Sequence, residues 1–207
     1  MKQVKQLTLI FAAFIGLATQ SANAIFIDNG AYVLDTDTNM EWLKLTATDA
    51  MSVNTAAASF AADGWAVATE FQYQTMFDNY FTGYVQNNAY GYMEAASGSS
   101  QYNQAIAFQS LFGLTFSATG YSASYAFYME GDIVRLGGTY MAPSFAQLHR
   151  DSIGNQNTYL TSAHSSAGVF MVRAAPKLEI VPVPEATSLL LLGLGLTGLG
   201  FTRRKSK

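Results

Sequence analysis

The chain has 207 residues, half of them apolar, with 14 acidic and 11 basic side chains and no cysteine. Six of the basic groups lie at the two ends, so residues 25–181 keep five and carry a net charge of −8. Such a body lacks the clustered Lys and Arg that displace phosphate counterions, which argues against a nucleic-acid partner. The missing cysteines exclude disulfides, thiolate metal sites and a cysteine nucleophile.

Residues 1–24 have the three-part form of a secretory signal: Lys2 and Lys5, an apolar stretch, and the small residues Ala22 and Ala24 at a cleavage site. Signal peptidase is the expected partner, leaving Ile25 as the first mature residue. Residues 25–28, 31–34 and 40–43 then read as short strands, the last two joined by the turn-forming run 35–39. Asp35, Asp37, Asn39 and Glu41 have the alternation of a calcium loop. However, Met40 and Thr46 stand where such a loop needs Gly and a bidentate Glu, so the reading is a structural hairpin.

From Ser52 the period becomes helical. Val53, Ala56, Ala57, Phe60 and Ala61 share a face, and Gly64 is placed for a left-handed cap. A strand over 65–68 leads to Thr69 and Gln72, which have capping-box spacing. The following stripe of Tyr73, Met76, Phe77, Tyr80 and Phe81 predicts a core-facing helix closed by Gly83. Residues 84–128 hold seven of the 12 tyrosines, including Tyr90, Tyr92, Tyr121 and Tyr125, among Asn, Ser and Gly. Aromatic faces with hydrogen-bonding rims suit sugar stacking, and these four form the candidate ligand surface. Packing within a sheet is the plainer account and the preferred one. A third helix is expected over 101–112, stopped by Gly113. Next comes a hairpin of 123–129 and 133–136 turning at Glu130-Gly131-Asp132, with Gly137-Gly138 breaking or bulging its second strand. Residues 143–160 read as a loop containing His149-Arg150-Asp151-Ser152.

Catalytic patterns are sparse. His149 and His164 are the only imidazoles, no G-x-S-x-G elbow exists, and the glycines are too scattered for a nucleotide loop. The body therefore reads as non-enzymatic, with no cofactor and no metal. A carbohydrate-binding module is the alternative, and a secreted hydrolase using two convergent acids or a His-acid pair is a lesser one.

At the C-terminal end, Pro176, Pro182 and Pro184 define a linker over 176–185. Residues 186–202 then predict a transmembrane helix, whose 16-residue uncharged run rises about 24 Å against roughly 30 Å of hydrocarbon. Arg203, Arg204 and Lys205 begin a basic tail, 203–207, that the positive-inside tendency keeps cytoplasmic.

The sequence Val183-Pro184-Glu185, the apolar run 189–201 and Arg203-Arg204 resemble the PEP-CTERM sorting domain of Gram-negative bacteria, although Ala186 stands where that family usually has proline. The resemblance implies transient anchoring in the inner membrane and cleavage near the motif by an exosortase, a membrane protease-transpeptidase. It further implies transfer of the body to the cell surface or an exopolysaccharide matrix. Residues 40–81 and 168–174 also resemble part of a C-type-lectin-like domain: a Trp42 strand, a helix, a Gly-Trp strand, a Thr-capped helix and a closing strand that pairs near the start. That family's disulfides and its calcium and sugar motifs are missing here, so the resemblance implies a fold without its sugar binding. The expected fold is α+β: one compact domain over 25–175 with a mixed or antiparallel sheet and two to three helices, flanked by the signal and transmembrane helices.

Overall fold

A computed structural model describes residues 25–87, 91–151 and 155–176. The signal segment with Ala22 and Ala24, the chain beyond Pro176 with the predicted membrane helix, and Tyr90 lie outside the described residues. Within them the body is α+β, as expected, with its strands in two sheets.

Strands β1 (Phe26–Asp28), β2 (Tyr32–Asp35) and β3 (Met40–Leu43) form an antiparallel meander. In the β2–β3 turn the Asp35 carboxylate accepts hydrogen bonds from the Asp37 N–H (3.0 Å) and the Thr38 hydroxyl (2.8 Å), and Asn39 takes φ 53°. Glu41 instead binds Arg173 at 2.6 Å. The oxygens considered for calcium thus hold a hairpin and an ion pair together. Helix α1 (Val53–Phe60) starts where the Thr55 N–H donates to the Ser52 hydroxyl, and Gly64 at φ 79° ends the turn that follows it. Of its predicted face, Val53 and Ala56 are buried, whereas Ala61 is exposed.

After β4 (Ala66–Val67), helix α2 (Glu70–Tyr80) begins with the anticipated capping box: the Gln72 N–H donates to the Thr69 hydroxyl and the Thr69 N–H donates to Gln72 Oε1. The helix stops at Tyr80, before Gly83. Tyr73, Met76, Phe77 and the adjoining Phe81 enter the core. Strand β5 (Tyr92–Ala96) precedes helix α3 (Ser100–Phe112), which Gly113 terminates at φ 90°. Then follow β6 (Phe116–Ala118), β7 (Tyr121–Glu130), β8 (Ile133–Met141), β9 (Phe145–His149), β10 (Gly168–Val169) and β11 (Met171–Ala174). The larger sheet runs β10-β7-β8-β9-β5, with β6 also on β7; the smaller runs β1-β2-β3-β11-β4.

Three expectations change. The closing strand over 168–173 is divided at Phe170: β10 lies parallel to β7, and β11 lies antiparallel to β3 and β4. Thr48 fixes the crossing, its hydroxyl donating to the Val169 carbonyl (2.9 Å) and accepting from the Val169 N–H (2.8 Å). Gly137 and Gly138 do not interrupt β8, because both keep their pairing with β7. The missing side chain of Gly137 admits Tyr73 instead, and that of Gly138 spares the Ser124 carbonyl a collision. A Cβ on Gly137 would collide with the Tyr73 ring, and the Tyr73 hydroxyl accepts from the Gly138 N–H (2.7 Å) and donates to the His149 carbonyl. Residues 143–160 are not simply loop, since β9 occupies 145–149 and pairs with β8 and β5.

The main core gathers Trp42, Tyr73, Phe77, Phe81, Phe108 and Phe170 with the inward side of both sheets. Side chains of successive strand residues point to opposite faces, so Ala126 and Tyr128 serve this core. Phe127 and Val134 serve a second one, with Val53, Ala56, Trp65 and Met171.

Candidate functional site

The second core covers only part of the larger sheet's outer face. Phe127, Val134 and their neighbours lie beneath it, packed with Val53, Trp65, Tyr159 and Leu160. Further along the same face the cover thins among the described residues: Tyr125 still packs against the second core, whereas Tyr121 is exposed. Tyr125, Gly138, His149 and Tyr92 form one cross-strand row over β7, β8, β9 and β5; two positions along, Ala123, Tyr140, Gln147 and Glu94 form the next.

Tyr125 and His149 sit on either side of Gly138 in this row, 5.3 Å apart between ring centroids, and Tyr125 Oη lies 3.1 Å from His149 Nε2. Tyr92 packs on the other side of the imidazole at 4.8 Å. Ala123, opposite Tyr140, leaves space for two tyrosines of β7 to flank it: Tyr121 at 6.1 Å and Tyr125 at 6.5 Å, both nearly parallel to its ring. The outcome is a continuous aromatic row, Tyr121–Tyr140–Tyr125–His149–Tyr92. Tyr121 is 47% exposed. Among the described residues, neither its hydroxyl nor that of Tyr140 has a hydrogen-bond partner.

Burial lowers the His149 pKa to about 4, so the imidazole is neutral at ordinary pH. Burial also raises the Tyr125 phenol, which remains a hydroxyl. The face therefore presents neutral rings with hydroxyl, amide and imidazole edges. Of the four tyrosines singled out in the sequence, Tyr92, Tyr121 and Tyr125 come together here. Tyr140, Gln147 and His149 were missed, and the alternation of Phe145, Gln147 and His149 in β9 was the available signal.

A groove of about 520 Å³ lies elsewhere, lined by Asp78, Phe81, Tyr84, Arg150 and Asp151 among others. Both carboxylates are engaged by one guanidinium: Asp78 at 2.7 Å and Asp151 at 3.0 Å from Arg150. Hydrogen bonding to Asp78 is the largest influence raising the Arg150 pKa, so the cation is permanent. His149 hydrogen-bonds to Tyr125 and Gln147, and its neighbour Arg150 to Asp78 and Asp151.

Outside the described residues, 182–205 match the family model of the PEP-CTERM protein-sorting motif. The tail is a PEP-CTERM sorting signal. It marks the chain as an exported protein, anchored in the membrane before an exosortase processes it. The PEP-CTERM match includes Val183, Pro184, Glu185, Ala186, Arg203, Arg204 and Lys205. No curated protein and no solved structure matches the chain, so the resemblance of its body to C-type-lectin-like domains has no counterpart there.

Proposed function

We propose that this is a non-enzymatic protein of the cell surface or exopolysaccharide matrix, delivered in two cuts. Signal peptidase removes residues 1–24 after Ala24. The apolar run 186–202 then holds the chain in the inner membrane with Arg203, Arg204 and Lys205 on the cytoplasmic side, until an exosortase cleaves near Val183-Pro184-Glu185 and releases or transfers the body. The sorting motif over 182–205 is the observation that carries this reading. The Arg150 clamp on Asp78 and Asp151 supports a non-catalytic body, because both of these acids are engaged by one guanidinium rather than left to face a substrate.

Mass spectrometry of the protein recovered from the cell surface tests it. The expected species begins at Ile25 and ends near the motif. A surface species retaining Arg203 and Arg204 rejects the exosortase step.

The aromatic row favours a second reading for the body itself, a carbohydrate-binding module. Tyr121 and Tyr140, whose hydroxyls have no partner among the described residues, lie at the more open end of the row and offer both stacking and hydrogen bonding to sugars. A glycan array probed with the full chain tests this, and an array without signal rejects it.

A further inference from the structure

We propose that the row Tyr121–Tyr140–Tyr125–His149–Tyr92 is a binding site for extended, uncharged polysaccharide, an inference that rests on the carbohydrate-binding reading and specifies its site and ligand class. Three observations lead there.

First, the rings are consecutive and cross several strands. Three of them, Tyr121, Tyr140 and Tyr125, are near-parallel with interplanar angles of 22° and 9° and neighbouring centroids 6.1 and 6.5 Å apart. A run of evenly spaced aromatic groups suits a repeating ligand better than a compact one. The apolar faces of successive pyranose rings present such a repeat.

Second, the polar groups are arranged for hydroxyls. The Tyr121 and Tyr140 phenols are unpartnered among the described residues, and the Gln147 amide lies in the Tyr140 row. A purely apolar partner would leave these groups desolvated and unpaired, which is costly. Sugar hydroxyls both donate and accept, so they can satisfy them.

Third, the charges disfavour an anionic chain. Lys44, Arg135, Arg150 and Arg173 are the cations among the described residues, and all are ion-paired, to Asp28, Glu130, Asp78 with Asp151, and Glu41. Glu94 lies exposed on the face, in the row of Tyr140 and Gln147. With a body of net charge −8 around it, a uronate or sulfated polymer meets repulsion and no unpaired Lys or Arg among the described residues.

Affinity electrophoresis of the full chain in a polyoxyethylene detergent tests the proposal, independently of exosortase processing. The gels contain hydroxyethyl cellulose, galactomannan or dextran as neutral probes, and alginate as the anionic one. Retardation by at least one neutral polymer and none by alginate is expected. Tyr121→Ala should weaken that retardation about tenfold, with the thermal midpoint changed little because nearly half of the residue is exposed. Tyr140→Phe, which preserves the ring, should weaken it less.

Retardation by alginate in preference to the neutral polymers overturns the ligand class while the carbohydrate-binding reading stands. Retardation unaffected by Tyr121→Ala overturns the site. No retardation by any polymer overturns both readings. A dimer seen by sedimentation, dissolved by Tyr121→Ala and accompanied by no retardation, makes this face a self-association surface and equally overturns the proposal.

Discussion

Tyr73 links helix α2 to the sheet through one oxygen atom. Its hydroxyl accepts from the Gly138 N–H and donates to the His149 carbonyl, while its ring fills the space that Gly137 leaves and stacks on Tyr128 at 4.4 Å. Tyr73→Phe keeps the ring but leaves a buried donor and a buried acceptor unpaired, so unfolding free energy should fall by about 1–3 kcal/mol in urea titrations. Gly137→Ala should be at least as damaging, because the new methyl meets a fully buried ring that has no room to retreat.

His149 gives a pH signature. Burial lowers its pKa to about 4 from the ordinary 6.5, so between those values the unfolded chain binds a proton that the folded chain does not. The His149 contribution to stability is therefore complete above pH 6.5, declines as pH falls toward 4, and stays low below that. With its partial solvent contact discounted, the decline is about 2 kcal/mol. Urea midpoints measured from pH 7 to pH 4 should fall more steeply for the natural protein than for His149→Gln.

Among the elements, α2 shows how local sequence and tertiary packing divide the work. The Thr69 and Gln72 pair sets where the helix begins, satisfying N–H groups that would otherwise lack partners. Thr69→Ala should cost about 1 kcal/mol, measured as a lowered thermal midpoint with unchanged helical signal at low temperature. Where the helix ends was not legible in the same way. Gly83 has the right chemistry, but the chain leaves the helix after Tyr80 as Phe81 turns into the core against Phe77 and Phe108. The closing strand makes a similar point. Residues 168–173 read as one apolar strand, yet Thr48, remote in sequence, captures the backbone of Val169 and diverts the chain between sheets at Phe170.

For the whole molecule, the sorting signal and the proposed binding face lie in different regions. Replacing Pro184 and Glu185 together by alanine should yield a longer, membrane-retained form on immunoblots of fractionated cells. The saccharide affinity of the full chain should remain the same, since the aromatic row lies in strands of the body. If the double variant reaches the surface at its normal length, the motif does not direct processing.

By itself the sequence determined the sorting signal, the helix starts, the main hairpins and much of the core, because each depends on residues adjacent in the chain or spaced at a helical or strand period. Charge order along the tail and the Thr69-Gln72 pair are such local patterns. The aromatic face was decided only by tertiary structure. Its rings come from four strands, β5, β7, β8 and β9, and whether a tyrosine in a strand faces a core or solvent depends on which neighbour covers it. The same outer face buries Phe127 under Trp65 and Val53 and leaves Tyr121 open, since the covering layer ends partway along the sheet.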